Sequence, residues 1–255
     1  MSKREEMRER RHRAEMRNRI LVILLVVVGA LVLTLVLINV GGNVPQGTAQ
    51  QTQTSAGVGD APVTPITPRT FHTTVDGPHL GDPSAPVKID AWEDFQCPSC
   101  KQYTEETESS VILDFVETGK VYYTYHFYPF IDRGLPGGES HQAANAAMCA
   151  SAQGRFWDYH DMLFANWIGE NEGGFANPRL VAFAQTLGLD MTAFNACFSA
   201  DRYASQIQQD FAAGQTMGVN GTPSVFVNGT ILTPGYIPTY DDVAQAVNAA
   251  LSSGQ

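Results

Sequence analysis

The chain contains four cysteines, Cys97, Cys100, Cys149 and Cys197, and the first two form a Cys-x-x-Cys pair. That spacing serves redox exchange, structural zinc or haem attachment. Haem attachment needs a histidine directly after the second cysteine, and Lys101 stands there. Structural zinc needs two further ligands. The chain has no second Cys-x-x-Cys and no His-x-x-x-His type pair, so no metal is expected. A loop this short constrains the unfolded chain too little to act as a staple. Redox chemistry is the reading that remains, with Cys97 and Cys100 as its catalytic pair.

The flanking residues say how such a pair is positioned. Val87, Ile89 and Ala91 alternate with polar residues, which predicts a strand. Tyr103, Val111, Ile112, Phe115 and Val116 predict an amphipathic helix over 101–117, ended by Gly119. Cys97 then sits at a helix N-terminus, where free N–H groups and the helix dipole favour a thiolate. Pro98 falls in the first turn, where its missing N–H costs nothing, and Ser99 completes the dipeptide between the cysteines. An exposed, attacking Cys97 and a shielded, resolving Cys100 are expected. Glu93 and Asp94, just upstream, are read either as proton carriers for the pair or as solvated loop charges.

A second landmark is Gly218-Val-Asn-Gly-Thr-Pro-Ser-Val-Phe-Val-Asn-Gly-Thr230. It predicts a strand over 224–227, an Asn228-Gly229 hairpin turn, and a return through Ile231 and Leu232. Pro223 heads the first strand, a position where proline is tolerated. Asn220 and Asn228 match glycosylation acceptors, but both lie in tight turns and carry no weight. Residues 121–128 read as an aromatic central strand in which His126 is packed or belongs to a site. Residues 142–164 read as a helix whose Phe156, Trp157, Tyr159 and Phe164 are core. His160-Asp161 lacks partners at metal spacing. Further helices are predicted over 178–187, 191–198, 202–217 and 241–251.

Asp94-Phe-Gln-Cys-Pro-Ser-Cys100, the stretch from Glu139 to Phe164, and Gly218 to Gly229, in that order, resemble the DsbA-like branch of the thioredoxin superfamily. The resemblance covers about residues 75–252. It implies an α/β thioredoxin fold, a central mixed sheet flanked by helices, interrupted by an α-helical insertion at about 135–200. It also implies that Pro223 is cis, and that Thr222 and Pro223 face Cys97 and hold an extended substrate by backbone pairing. Two departures are visible. A buried acid common in thioredoxin-like enzymes would fall at Ala91, and the inter-cysteine pair is Pro-Ser rather than Pro-His. Serine has no cationic form, so a milder oxidant than the strongest members is expected. Cys149 and Cys197 fall in the insertion and read as a structural disulfide, or else as two free buried thiols.

The surroundings locate the chemistry. Residues 1–19 carry eight Lys/Arg against four Glu, a net of +4 in a chain of net −10. Residues 20–40 are uncharged and long enough for a helix to cross the roughly 30 Å bilayer core. A cleaved signal peptide would have a shorter apolar region. The basic head before the span keeps the N-terminus cytoplasmic and places the rest outside. Residues 41–70, rich in Gly, Pro, Thr and Gln, read as a flexible linker, and 71–255 as the folded domain. An acidic domain excludes nucleic acid as a partner. The expected activity is extracytoplasmic oxidation of dithiols in reduced secreted proteins, with no cofactor beyond the redox disulfide. A membrane quinone-linked partner of DsbB or vitamin-K-epoxide-reductase (VKOR) type would re-oxidise it, as the resemblance implies. A reductase or isomerase fed from the membrane, and an anchored chaperone-like module without turnover, remain as alternatives.

Overall fold

The computed structural model describes residues 62–253. The basic head, the expected membrane span and residues 41–61 of the expected linker lie outside them. Among the described residues no helix is long and apolar enough to cross a membrane.

The chain forms a mixed sheet in the order β1-β2-β4-β3-β5-β6. The strands are β1 (Val75–Asp76), β2 (His79–Leu80), β3 (Val87–Glu93), β4 (Val121–Phe127), β5 (Ser224–Val227) and β6 (Thr230–Ile231). The central β3 pairs parallel with β4 and antiparallel with β5, so Ala91 lies between Tyr125 and Val225. Val87, Ile89, Ala91 and Glu93 share one face because strand side chains alternate, and all four are buried. Burial of Val87 and Ile89 contributes about 1.5–3 kcal/mol each, and the Ala91 methyl less. The β1–β2 hairpin was not expected from the sequence. It turns at Gly77-Pro78, with Gly77 at φ +57°.

One long helix, α1, follows the cysteines in four abutting segments: Pro98–Tyr103, Thr104–Glu108, Ser109–Val111 and Ile112–Val116. The second and fourth are π-helical. The reason lies in the burial pattern. Residues 103–104, 107–108, 111–112 and 115–116 are buried, and the pairs between them are exposed. That period of four drifts around an α-helix of about 3.6 residues per turn. Wider π turns absorb the difference and keep one stripe against the sheet.

Between β4 and β5 stand five helices: α2 (Glu139–Ser151), α3 (Phe156–Ala165), α4 (Asn177–Thr186), α5 (Met191–Ser199) and α6 (Ala204–Thr216). The chain closes with α7 (Tyr240–Ser253). The single helix expected over 142–164 is in fact two. Gly154 adopts φ +70°, and the N–H groups of Gly154 and Arg155 turn back to Ser151 and Ala150, which closes α2. Cys149 on α2 and Cys197 on α5 form a disulfide, with Cα atoms 5.8 Å apart.

Residues 62–70, expected to lie in the linker, are laid onto this domain. Val63, Ile66 and Phe71 pack against its core. The Thr64 N–H donates to Asn166 Oδ1 at 2.7 Å, and Asn166 Nδ2 donates back to the Thr64 carbonyl at 2.9 Å. Apolar residues spaced between the prolines supply the contacts that composition alone concealed.

Candidate active site

Cys97 caps the N-terminus of α1 and Pro98 occupies its first turn. Both sulfurs are free thiols. The expectation of an exposed Cys97 is corrected: 7% of its surface is accessible, against 0% for Cys100. The cause is the loop before β5, whose Thr222-Pro223 bond is cis. Cys97 Sγ lies 3.2 Å from the Thr222 carbonyl oxygen, which accepts from the thiol.

The two sulfurs differ in acidity. Cys97 is brought down from 9.0 to about 6, chiefly by the Cys100 thiol. Thr222 and the N–H groups of Cys100 and Ser99 add to this, while burial opposes it. Cys100 is pushed well above its ordinary value by burial first, then by Cys97 and Glu93. The Asp94 N–H reaches its sulfur at 3.5 Å.

Glu93 and Asp94 are not solvated charges; they are 1% and 2% exposed. β3 runs two residues beyond Ala91, so Glu93 stands one pleat along on the same face. The acid absent at Ala91 is thus present at Glu93. Its carboxyl oxygens lack a well-formed hydrogen bond, and the Cys100 thiol and Tyr123 hydroxyl are the donors beside them. Burial pushes its pKa well above the ordinary carboxyl range, and Glu108 and Cys97 push the same way. Asp94 has a different setting. It accepts from the N–H groups of Gln96 (2.8 Å) and Ile131 (2.9 Å) and from the Ser140 hydroxyl (2.9 Å). Burial lifts it from 3.8 to about 7 against those bonds. Gln96 continues the tie, donating to Ser140 Oγ at 2.8 Å and accepting from the Asn171 N–H at 2.6 Å. Asp94 and Gln96 therefore dock the cysteine loop onto the insertion.

Ser99, Thr222 and Pro223 edge an open groove of about 250 Å³, completed by Ile231, Tyr236 and Ile237. No ionisable carboxylate or cation lines it, and Tyr236 stands 80% exposed at its rim. Of the expected site residues, Cys97, Cys100, Pro98, Ser99, Thr222, Pro223 and Glu93 come together here. Cys149 and Cys197 sit in the insertion. His126 lies on the opposite sheet face, stacked on Trp92 at 4.2 Å and bonded to Asp90 and Asp210. Sequence reasoning missed Glu108 and Arg69. Glu108 was legible: stepping back by fours from Ile112 and Val116 puts it on the buried stripe. Arg69 had no such signal, because it reaches the core from a segment of linker composition.

The thioredoxin family model labelled Thioredoxin matches residues 73–249. The chain belongs to this family. A disulfide bond formation protein D of Bacillus subtilis (strain 168) is 25% identical over 178 residues, covering 68% of this chain and 77% of that protein. The crystal structure of oxidised BdbD from Bacillus subtilis superposes with a TM-score of 0.61 at 24% identity, covering 71% of this chain and 97% of that one. A Na(+)/H(+) antiporter NhaA 3 of Salinispora tropica is 33% identical over 155 residues, which is 60% of this chain. The chain spans only 22% of that antiporter's length. Within this family the chain has an α/β fold with a helical insertion, the fold also seen in BdbD.

Proposed function

We propose that the chain oxidises dithiols of secreted proteins outside the cytoplasm, anchored by residues 20–40 with its N-terminus inside. A substrate thiolate attacks Cys97 Sγ of the enzyme disulfide, a sulfur–sulfur bond forms, and Cys100 leaves as thiolate. The Glu93 carboxyl gives Cys100 a proton and becomes carboxylate. A second substrate thiolate then attacks the substrate sulfur of the mixed disulfide, and Cys97 departs with the electron pair. The substrate is oxidised by two electrons and the pair Cys97–Cys100 is reduced by two. Pro98 and Ser99 shape the helix start, Thr222 and Pro223 hold the substrate chain along the groove, and Asp94 anchors the loop. A membrane quinone-linked oxidant of DsbB or VKOR type restores the disulfide.

The observation that carries this reading is the split between a Cys97 at about 6 and a Cys100 far above its ordinary value. A stabilised Cys97 thiolate favours the reduced enzyme, which makes the disulfide an oxidant. The test is the equilibrium potential of the pair against glutathione. Values of about −100 to −200 mV support an oxidase, whereas one near thioredoxin's, about −270 mV, would sink it in favour of a reductase. Client protection that survives Cys97→Ala would instead point to a chaperone-like module.

A further inference from the structure

Beneath the cysteines lies a cluster of buried polar groups, of which the exchange steps above use only Glu93. Tyr123 Oη donates to Glu108 Oε1 at 3.3 Å. His160 Nε2 stands 3.8 Å from the same oxygen, and its Nδ1 is 2.9 Å from Asp161 Oδ1. Glu108 and His160 are both fully buried. Buried polar atoms that lack a well-formed hydrogen bond concentrate here: both Glu93 carboxyl oxygens, Tyr103 Oη, Tyr125 Oη, and Glu108 Oε2 and His160 Nε2, which keep only ion-pair distances. Such atoms are uncommon in a folded interior and call for a reason.

The one guanidinium among these contacts belongs to Arg69, on the segment before β1. Arg69 donates twice to Asp161, at 2.7 and 2.6 Å. Its Nη1 stands 3.6 Å from Glu108 Oε2. Phe71 and Trp157 flank the guanidinium at 5.4 and 5.5 Å. The charge is therefore fixed between a surface-facing and a fully buried carboxylate, not waving at the end of a tether.

We propose that Arg69 is a positioning residue for thiol exchange: its cation sits in the acid cluster that contains Glu93 and Glu108, and it governs how that cluster yields the proton that Cys100 takes up. The inference rests on the proton-transfer reading above. The groups facing the cluster are Cys97 at the cap of α1, Cys100 and Tyr103 from α1, Asp94 beside β3, Tyr123 and Tyr125 from β4, His160 and Asp161 from α3, and Arg69 itself. Coupled acids titrate as a set. Removing a cation from the set raises its proton content at any given pH, and removing an anion lowers it.

The test uses the full chain with ¹³C-labelled glutamate and aspartate carboxyls, titrated by NMR, together with the pH dependence of the Cys97–Cys100 potential. Arg69→Met should shift the slow-exchanging buried carboxyls towards alkaline pH by about one unit, tenfold in proton affinity, and the bend in the potential–pH curve should move with them. Arg69→Lys should restore both. Asp161→Asn should shift them the opposite way, a sign that mere loosening of the segment would not produce. Unchanged titration and potential curves in Arg69→Met, even with a lowered melting temperature, would overturn the proposal. Should that variant not fold, the direction of the Asp161→Asn shift decides, and no shift or an alkaline one overturns it. A wild-type chain that fails to oxidise dithiols would instead sink the oxidase reading, while the carboxyl titration still reports on Arg69.

Discussion

Cys97 Sγ and the Thr222 carbonyl oxygen lie 3.2 Å apart although 125 residues separate them in the chain. That contact closes the site from two sides, a helix N-terminus and a cis-proline loop. It also leaves only 7% of the Cys97 surface accessible.

Cys100 is the principal group favouring the Cys97 thiolate. In Cys100→Ala the Cys97 titration, followed by thiolate ultraviolet absorbance, should move up from about 6. Offered oxidised glutathione, the variant should also accumulate a mixed disulfide: Cys97 thiolate attacks, one glutathione thiolate leaves, and no Cys100 remains to displace the other. An unmoved midpoint would assign the low value to the helix terminus alone.

Asp94 and His126 each make stability fall as pH rises, in separate windows. Asp94 is raised from 3.8 to about 7, so the folded state binds its proton more tightly than the unfolded chain does. Stability is lost as pH climbs from about 4 to about 7, on the order of 4 kcal/mol in total. Asp94→Asn should flatten that slope in urea melts.

His126 is raised from 6.5 to about 9 by Asp210 and Asp90, against burial. Its contribution is complete below 6.5 and disappears as pH passes about 9. On the linkage relation it is on the order of 3 kcal/mol. His126→Gln should remove the alkaline slope and leave the acid one in place, because Asp94 and His126 share no hydrogen-bond partner.

The Cys149–Cys197 link closes a 48-residue separation. Chain entropy assigns such a loop roughly 4 kcal/mol. Cys149→Ser with Cys197→Ser should lower stability by about that amount while the potential of the Cys97–Cys100 pair stays put. A moved potential would mean the two pairs exchange.

Much of the fold was legible in sequence because its signals are local. The alternation through Val87, Ile89 and Ala91 marks β3, Asn228-Gly229 marks the β5–β6 turn, and the apolar spacing of Val111, Ile112, Phe115 and Val116 marks α1. The β1–β2 hairpin was not legible: two-residue strands carry too few residues to show a period. The break at Gly154 was hidden in a run that is apolar on both sides, where periodicity cannot say which turn ends a helix.

By itself the sequence determined the Cys-x-x-Cys pair's place at a helix start, the strand before it and the Asn228-Gly229 hairpin turn, since each depends on residues close together in the chain. Tertiary structure alone decided the protonation of the site. Whether Glu93 is a surface charge or a buried acid depends on where β3 ends and what covers it. Whether Arg69 belongs to a tether or to the core depends on Glu108 and Asp161, 39 and 92 residues away. Charges act through space and burial, and neither is written in chain order.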